Sequence, residues 1–174
     1  MKKFKKITIT YTSFDKKVQE IIDQCTEVLE NMDIKIVSVV NLSDSNKNKK
    51  NILKNLSEKS DLIISIGGDG TMLSCSRDLG FFGVPILGIN LGNLGFLTDI
   101  APEEITTRLL EVIKGSYTKE KRSFLEISIN DKGKFLALNE AVIHSGAVAK
   151  LIGYEVYIDQ NFVFRQKADG LIVS

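Results

Sequence analysis

The sequence predicts an α/β protein: an open α/β domain with a mainly parallel sheet over residues 1–100, then a connecting helix and the first strands of an antiparallel β-rich domain over 101–174. Three observations carry this. Short continuous apolar runs rich in Ile and Val alternate with segments of helical periodicity as far as Lys114, the pattern of parallel strands covered on both faces. From Phe124 onward the period changes to two, with turn residues between the runs, as in antiparallel hairpins. Two glycine clusters, SIGGDGTML at 65–73 and GINLGNLGFLTDI at 88–100, each continue an apolar run. That places both at the carboxyl ends of neighbouring strands, where open α/β sheets bind ligands.

The elements follow in order. Residues 5–12, KKITITYT, alternate and are β-branched enough for a strand, and 15–31 set Val18, Ile21, Ile22, Cys25, Val28 and Leu29 at helical spacing. A strand at Ile34–Val40 precedes LSDSNKNKKN, a polar stretch without periodicity that reads as a solvated loop. A short helix near Asn51–Ser57, a strand at Leu62–Ile66, a helix from about Thr71 to Leu79, a strand at Pro85–Ile89 and a helix at Pro102–Lys114 complete the first part. Then come FLEISIN, the turn DKGK, the strand FLALNEAVIH, GYEVYID, a turn at Gln160-Asn161, and FVFRQ. The last run, ADGLIVS, has no closing turn or cap. The expectation is a whole first domain and the opening of a second, whose sheet has an open edge and an incomplete core.

Composition narrows the function. With 43% apolar and 26% charged residues and a net charge of +1, the chain has neither the basic field of a nucleic-acid binder nor that of a membrane-surface protein. No apolar run reaches the roughly 18 residues of a spanning helix. The start MKKFKKITITY lacks the apolar region of a signal peptide, so a cytoplasmic location is expected. Cys25 and Cys75 form no C-x-x-C pair and read as reduced thiols. A single histidine leaves little for Ser-His-Asp catalysis or a histidine-rich metal site.

Gly67-Gly68-Asp69-Gly70 is neither a Walker A loop nor the G-x-G-x-x-G fingerprint. Glycines there let a phosphate approach the backbone, and the following helix offers unpaired N–H groups. An acid inside an anion cradle would repel phosphate unless it meets Mg²⁺ or takes a proton from a nucleophilic hydroxyl, and both roles belong to phosphoryl transfer. A plainer alternative stays open: Asp69 or Thr71 only caps the helix.

GGDGTML at 67–73, GINLGNLGFLTDI at 88–100, LNEAVIH at 138–144 and ADGLIVS at 168–174, in that order, resemble the NAD kinases. GGDGT alone is shared with lipid kinases; the second motif followed by the Asn-Glu pair is the specific part. The resemblance covers essentially the whole chain. It implies a Rossmann-like first domain and transfer of the γ-phosphoryl of ATP, or of polyphosphate, to the 2′-hydroxyl of the adenosine ribose of NAD, with Mg²⁺. It also implies that Asp69 is the catalytic residue, with Gly68 and Gly70 beside the substrate. Phe96 falls where the family lines the adenine pocket, with ordinary core packing as the alternative. Asn139 and Glu140 match the pair that holds the ribose, although on one strand they would point to opposite faces. Asp169 matches the acid near the nicotinamide, against a simple turn role before Gly170. Lys150 and Lys167 stand where basic groups surround the dinucleotide, although solvent is the usual surrounding of a lysine. His144 receives no role, and no metal ligand is assigned.

The resemblance further implies a homo-oligomer, dimer or tetramer, and continuation into a Thr-Pro-Thr-Gly-Ser-Thr-Ala-Tyr-like segment that would begin where this chain ends, at Ser174. Whether these residues turn over substrate is therefore left open. The other expectations are a noncatalytic nucleotide-binding fragment and a GGDGT-type kinase of a lipid or sugar phosphate.

Overall fold

Four parallel strands, Lys6–Tyr11 (β1), Lys35–Asn41 (β2), Leu62–Ile66 (β3) and Ile86–Ile89 (β4), form a sheet in the order β2-β1-β3-β4. The computed structural model describes residues 4–44, 48–92, 95–146 and 150–174. β3 is a continuous apolar run because both of its faces are covered, each of its five residues being buried. At about 1.5–3 kcal/mol for each fully buried Ile or Leu side chain, such a strand anchors the domain.

One face of the sheet carries Ile7, Ile9, Ile64 and Ile66 against helices Lys16–Asn31 (α1) and Ile105–Lys114 (α4). Ile63, on the other face, meets Leu53, Cys75 and Leu79 from Lys49–Lys59 (α2) and Asp69–Leu79 (α3). The six apolar residues expected to line α1 are the six it buries, and Asp15 starts the helix by accepting the Val18 N–H at 2.9 Å. α1 leads from β1 outward to β2, whereas α2 leads back past β1 to β3. The direction of winding therefore reverses between β1 and β3, and the crevice at their carboxyl ends is the switch point of the sheet.

Two expectations are corrected in this part. α2 begins at Lys49, inside the stretch read as a loop. The Lys49 ammonium donates to the Leu42 carbonyl at 2.5 Å and pairs with Asp78 at 2.8 Å, tying that turn to β2 and α3. The chain also divides into Met1–Lys121 and Arg122–Ser174, with the division at 121/122 rather than 100/101. The physical reason is α4, which buries Ile105, Leu109 and Ile113 in the same core as α1.

Among its described residues the second unit contains three antiparallel ladders: Leu125–Ser128 (β5) with Lys134–Ala137 (β6), Ala141–His144 (β7) with Gly170–Val173 (β10), and Ile152–Ile158 (β8) with Asn161–Ala168 (β9). FLALNEAVIH is two strands and not one, interrupted at Leu138-Asn139-Glu140. The hairpin turn lies at Asp159-Gln160, one residue earlier than expected, with φ of 48° and 68°. Positive φ at both central residues is what a tight two-residue hairpin turn of matching twist demands, and Asn161 already pairs with Ile158. Among the described residues of this unit none is buried. Among all described residues no helix is long and apolar enough to cross a membrane.

Cys25 and Cys75 are free and fully buried. Burial pushes the Cys25 thiol up to about 12 and the Cys75 thiol up to about 11, the latter despite hydrogen bonding from Thr10. Both thiols stay protonated through physiological pH, so the native protein is expected not to react with dithiobis(nitrobenzoate) at pH 8 until denaturant is added. Rapid labelling of either thiol in native buffer would contradict the core described here.

Candidate active site

The turn from β3 into α3 is fixed by its first glycine. Gly67 has φ +153°, its N–H donates to the Ile89 carbonyl at 2.9 Å, and a Cβ there would lie 2.2 Å from the Thr71 hydroxyl oxygen. Thr71 Oγ1 in turn shares a 2.8 Å hydrogen bond with Thr12 Oγ1 at the end of β1. The turn is thereby tied to both β4 and β1, across the switch point. Gly67→Ala is expected to lower folding stability by about 1–3 kcal/mol, read as a shifted urea midpoint, because neither backbone nor neighbour has room to adjust.

Asp69 is the first residue of α3, not its cap; Gly68 holds the cap position. The Asp69 carboxylate instead reaches the second glycine cluster. Its Oδ2 accepts the Phe96 N–H and its Oδ1 the Leu97 N–H, both at 3.0 Å. Gly95 makes this approach feasible, since a Cβ there would sit 2.2 Å from Asp69 Oδ1. The two glycine-rich turns are therefore one arrangement, joined through the acid of the first and the amides of the second. The capping alternative for Asp69 does not hold.

Gly68 and Gly70 differ from Gly67 and Gly95. A Cβ at either meets no atom within 4 Å, so nothing inside the protein requires glycine there. Gly70→Ala is expected to leave the melting temperature unchanged or raise it, because alanine favours the helix by up to about 1 kcal/mol. A lower affinity for the phosphoryl donor in the same variant would show that ligand, not fold, needs the bare backbone.

Phe96 presents its ring to solvent, 98% exposed, which overturns core packing as its role. Leu91 packs against the core and Leu97 is half-buried, whereas Leu94 lies outside the described residues. Sequence reasoning missed Thr12, Asn90, Gly95 and Thr98, and weighed Thr71 only as a possible helix cap. Gly95 was visible only as one glycine of a cluster, and the threonines carried no signal beyond their nearness to strand ends.

The remaining candidates lie in the second unit. Asn139 and Glu140 are exposed in the break between β6 and β7, which removes the difficulty of opposite faces on one strand. Asp169 is exposed in the bend between β9 and β10, followed by Gly170, whose partner on β7 is His144. Since Ala141 pairs with Val173, the Asn-Glu pair and Asp169 sit at opposite ends of one ladder, at least about 10 Å apart at ~3.4 Å per residue. Lys150 is exposed before β8, and Lys167 is exposed on β9 opposite Gly153. On the same hairpin the Tyr157 phenol and Arg165 hold the Glu155 carboxyl below its usual range, and Glu155 in turn raises Tyr157.

Among the described residues there is no group of three or more His, Cys, Asp or Glu able to cage a metal ion. Magnesium does not need one: it keeps several waters and binds through one or two carboxylates plus substrate phosphates. Asp69 is the carboxylate of this turn that fits such a role.

The comparisons with known proteins bear on the family and the fold. Residues 5–117 match the family model described as the ATP-NAD kinase N-terminal domain, and the chain belongs to the NAD kinase family. It is 50% identical over 125 residues to the NAD kinase of Azotobacter vinelandii, covering 70% of this chain and 42% of that protein. To the NAD kinase of Colwellia psychrerythraea it is 45% identical over 142 residues, covering 79% and 48%. The chain thus spans about half the length of the curated relatives it matches. In fold it is similar to yeast NADH kinase complexed with NADH, with a TM-score of 0.78 at 20% identity, over 98% of this chain and 57% of that one. A diacylglycerol kinase from Bacillus anthracis shares the fold more distantly, with a TM-score of 0.54 at 16% identity, over 99% of this chain and 64% of that one.

Proposed function

We propose that the chain carries the reaction centre of an NAD kinase, which transfers the γ-phosphoryl of ATP, or of polyphosphate, to the 2′-hydroxyl of the adenosine ribose of NAD, giving NADP. The observation that carries this is the Asp69 carboxylate, fixed by two backbone amides at a glycine turn on the switch point of the sheet.

A ribose hydroxyl is a weak nucleophile at neutral pH, so positioning and charge neutralisation supply most of the rate. The two amides occupy one lone pair on each carboxylate oxygen, and a carboxylate has about four acceptor sites. The free sites accept the 2′-hydroxyl hydrogen bond, orient the oxygen and take its proton as the phosphoryl group arrives. Gly68 and Gly70 leave backbone open to the phosphates, and the start of α3 directs its dipole at them. Magnesium, bound with the nucleotide, supplies charge neutralisation on the phosphates. The exposed Phe96 ring offers a face for the adenine.

In the second unit, Asn139 and Glu140 suit the ribose hydroxyls, and Asp169 a carboxamide N–H, as an extended dinucleotide would need from the two ends of one ladder. Lys150 and Lys167, both exposed, are the basic groups proposed around the dinucleotide. The family membership supports a homo-oligomeric, cytoplasmic enzyme.

The test is NADP formation. The purified chain is incubated with NAD, ATP and Mg²⁺, and NADP is read with an NADP-specific dehydrogenase, with polyphosphate as a parallel donor and diacylglycerol as a parallel acceptor. NADP formed with NAD alone as acceptor supports the proposal. Phosphorylation of the lipid without NADP formation would replace it.

A further inference from the structure

Resting on the reading of Asp69 above, the geometry points to Asn90 and Thr98 as positioning residues: a buried side-chain clasp that presents the two amides holding the Asp69 carboxylate. The amides of Phe96 and Leu97 belong to a loop that leaves β4 and returns to it. The two ends of that loop meet. Asn90 Nδ2 donates to Thr98 Oγ1 at 2.8 Å, and both side chains are almost wholly buried, at 3% and 5% exposure. Asn90 Oδ1 accepts the Gly92 N–H at 2.7 Å, and the Gly95 N–H points at Thr98 Oγ1 at 3.4 Å. The backbone closes the same ring, with Asn90 N–H on the Ile100 carbonyl at 2.8 Å and Asp99 N–H on the Gly88 carbonyl at 3.0 Å.

The returning arm lies directly on β4. A Cβ at Gly88 would meet the Thr98 Cα at 3.0 Å and the Leu97 carbonyl at 3.1 Å. The amide of Leu97 is adjacent in sequence to Thr98, so the threonine hydroxyl fixes the loop within one residue of a bond to Asp69. An exposed loop whose tip carries a wholly solvated phenylalanine would otherwise wander. With the Asn90 amide joining its two ends, the loop that carries the Phe96 and Leu97 amides is fastened to the end of β4. The side-chain bonds of Asn90 and Thr98 described above run to each other and to the loop backbone, and through that backbone they act on the Phe96 and Leu97 N–H groups.

Thr98→Val keeps the shape and removes the hydroxyl; Thr98→Ser keeps the hydroxyl. Two readouts are compared in the whole chain: NADP formation, and hydrogen exchange of the Phe96 and Leu97 amides followed by NMR. Thr98→Val is expected to speed exchange of both amides at least about tenfold. It is also expected to lower kcat about 10- to 100-fold, with KM for NAD and ATP within about twofold. Thr98→Ser is expected to restore both. Unchanged amide protection in the valine variant overturns the clasp, whatever happens to kcat. So does a normal kcat with lost protection, or a serine variant as impaired as the valine one. If the unaltered chain makes no NADP from either donor, the reading of the reaction fails separately. Exchange alone then decides: lost protection in the valine variant upholds the clasp, and retained protection overturns it.

Discussion

Asp69→Asn is expected to lower the rate of NADP formation about a thousandfold, within the 10²- to 10⁴-fold range of a positioned acid-base group. Two effects add. Asparagine cannot take the proton of the ribose hydroxyl. It also replaces one carboxylate oxygen by an NH₂ group, which would face the Phe96 or the Leu97 N–H, donor against donor, where each now bonds an oxygen at 3.0 Å. The loop is therefore expected to loosen as well, with a stability loss of about 1–3 kcal/mol. Steady-state kinetics with an NADP-specific coupled assay measures the first effect and a urea titration the second. An activity within tenfold of the unaltered protein would remove Asp69 from the chemistry.

Gly95→Ala is expected to lower kcat about a hundredfold although residue 95 carries no chemistry of its own. An added Cβ would lie 2.2 Å from Asp69 Oδ1, 2.6 Å from its carboxyl carbon and 2.7 Å from Oδ2. Something must move by an ångström or more, and the carboxylate, at the end of a side chain, moves most easily. A displacement of that size at the reacting group is worth about 10²-fold in rate. KM for NAD is expected to change less than kcat, because, Phe96 apart, the groups proposed to hold the dinucleotide, among them Asn139, Glu140 and Asp169, belong to other segments. Equal kcat in the alanine variant would show that the carboxylate works from a different position.

The first domain was legible in the sequence because its physics is local. Five consecutive buried residues in β3 give an unbroken apolar run, and six buried positions on α1 give helical spacing. The four-strand parallel sheet follows from that alternation. The glycines of the two turns were legible as glycines, but not the reason for each: Gly67 and Gly95 are required by neighbouring protein atoms, whereas Gly68 and Gly70 are not. What holds Asp69 was hidden for a different reason. Its partners are backbone amides 27 and 28 positions away, and an amide N–H has no signature among residue types. The Asn90–Thr98 bond was hidden in the same way, since two polar residues in a loop are ordinary until burial shows that they face each other.

In the second unit the alternation was legible and its interruptions were not. Leu138-Asn139-Glu140 keeps an alternating texture through a break. The turn at Asp159-Gln160 uses a glutamine at φ 68°, a residue that does not advertise a turn. The helix at 105–114 looked like a connector because it follows the second glycine cluster, yet its Ile105, Leu109 and Ile113 complete the core beside α1.

The most direct measurement of the central claim, that the second glycine turn exists to seat the acid of the first, is a double-mutant cycle in kcat between Gly95→Ala and Asp69→Asn. If Gly95 acts only by admitting the carboxylate, the alanine costs about a hundredfold in the unaltered protein and no more than about threefold once Asp69 has been replaced. The same hundredfold loss in both backgrounds would contradict the account, since Gly95 would then serve the reaction independently of Asp69.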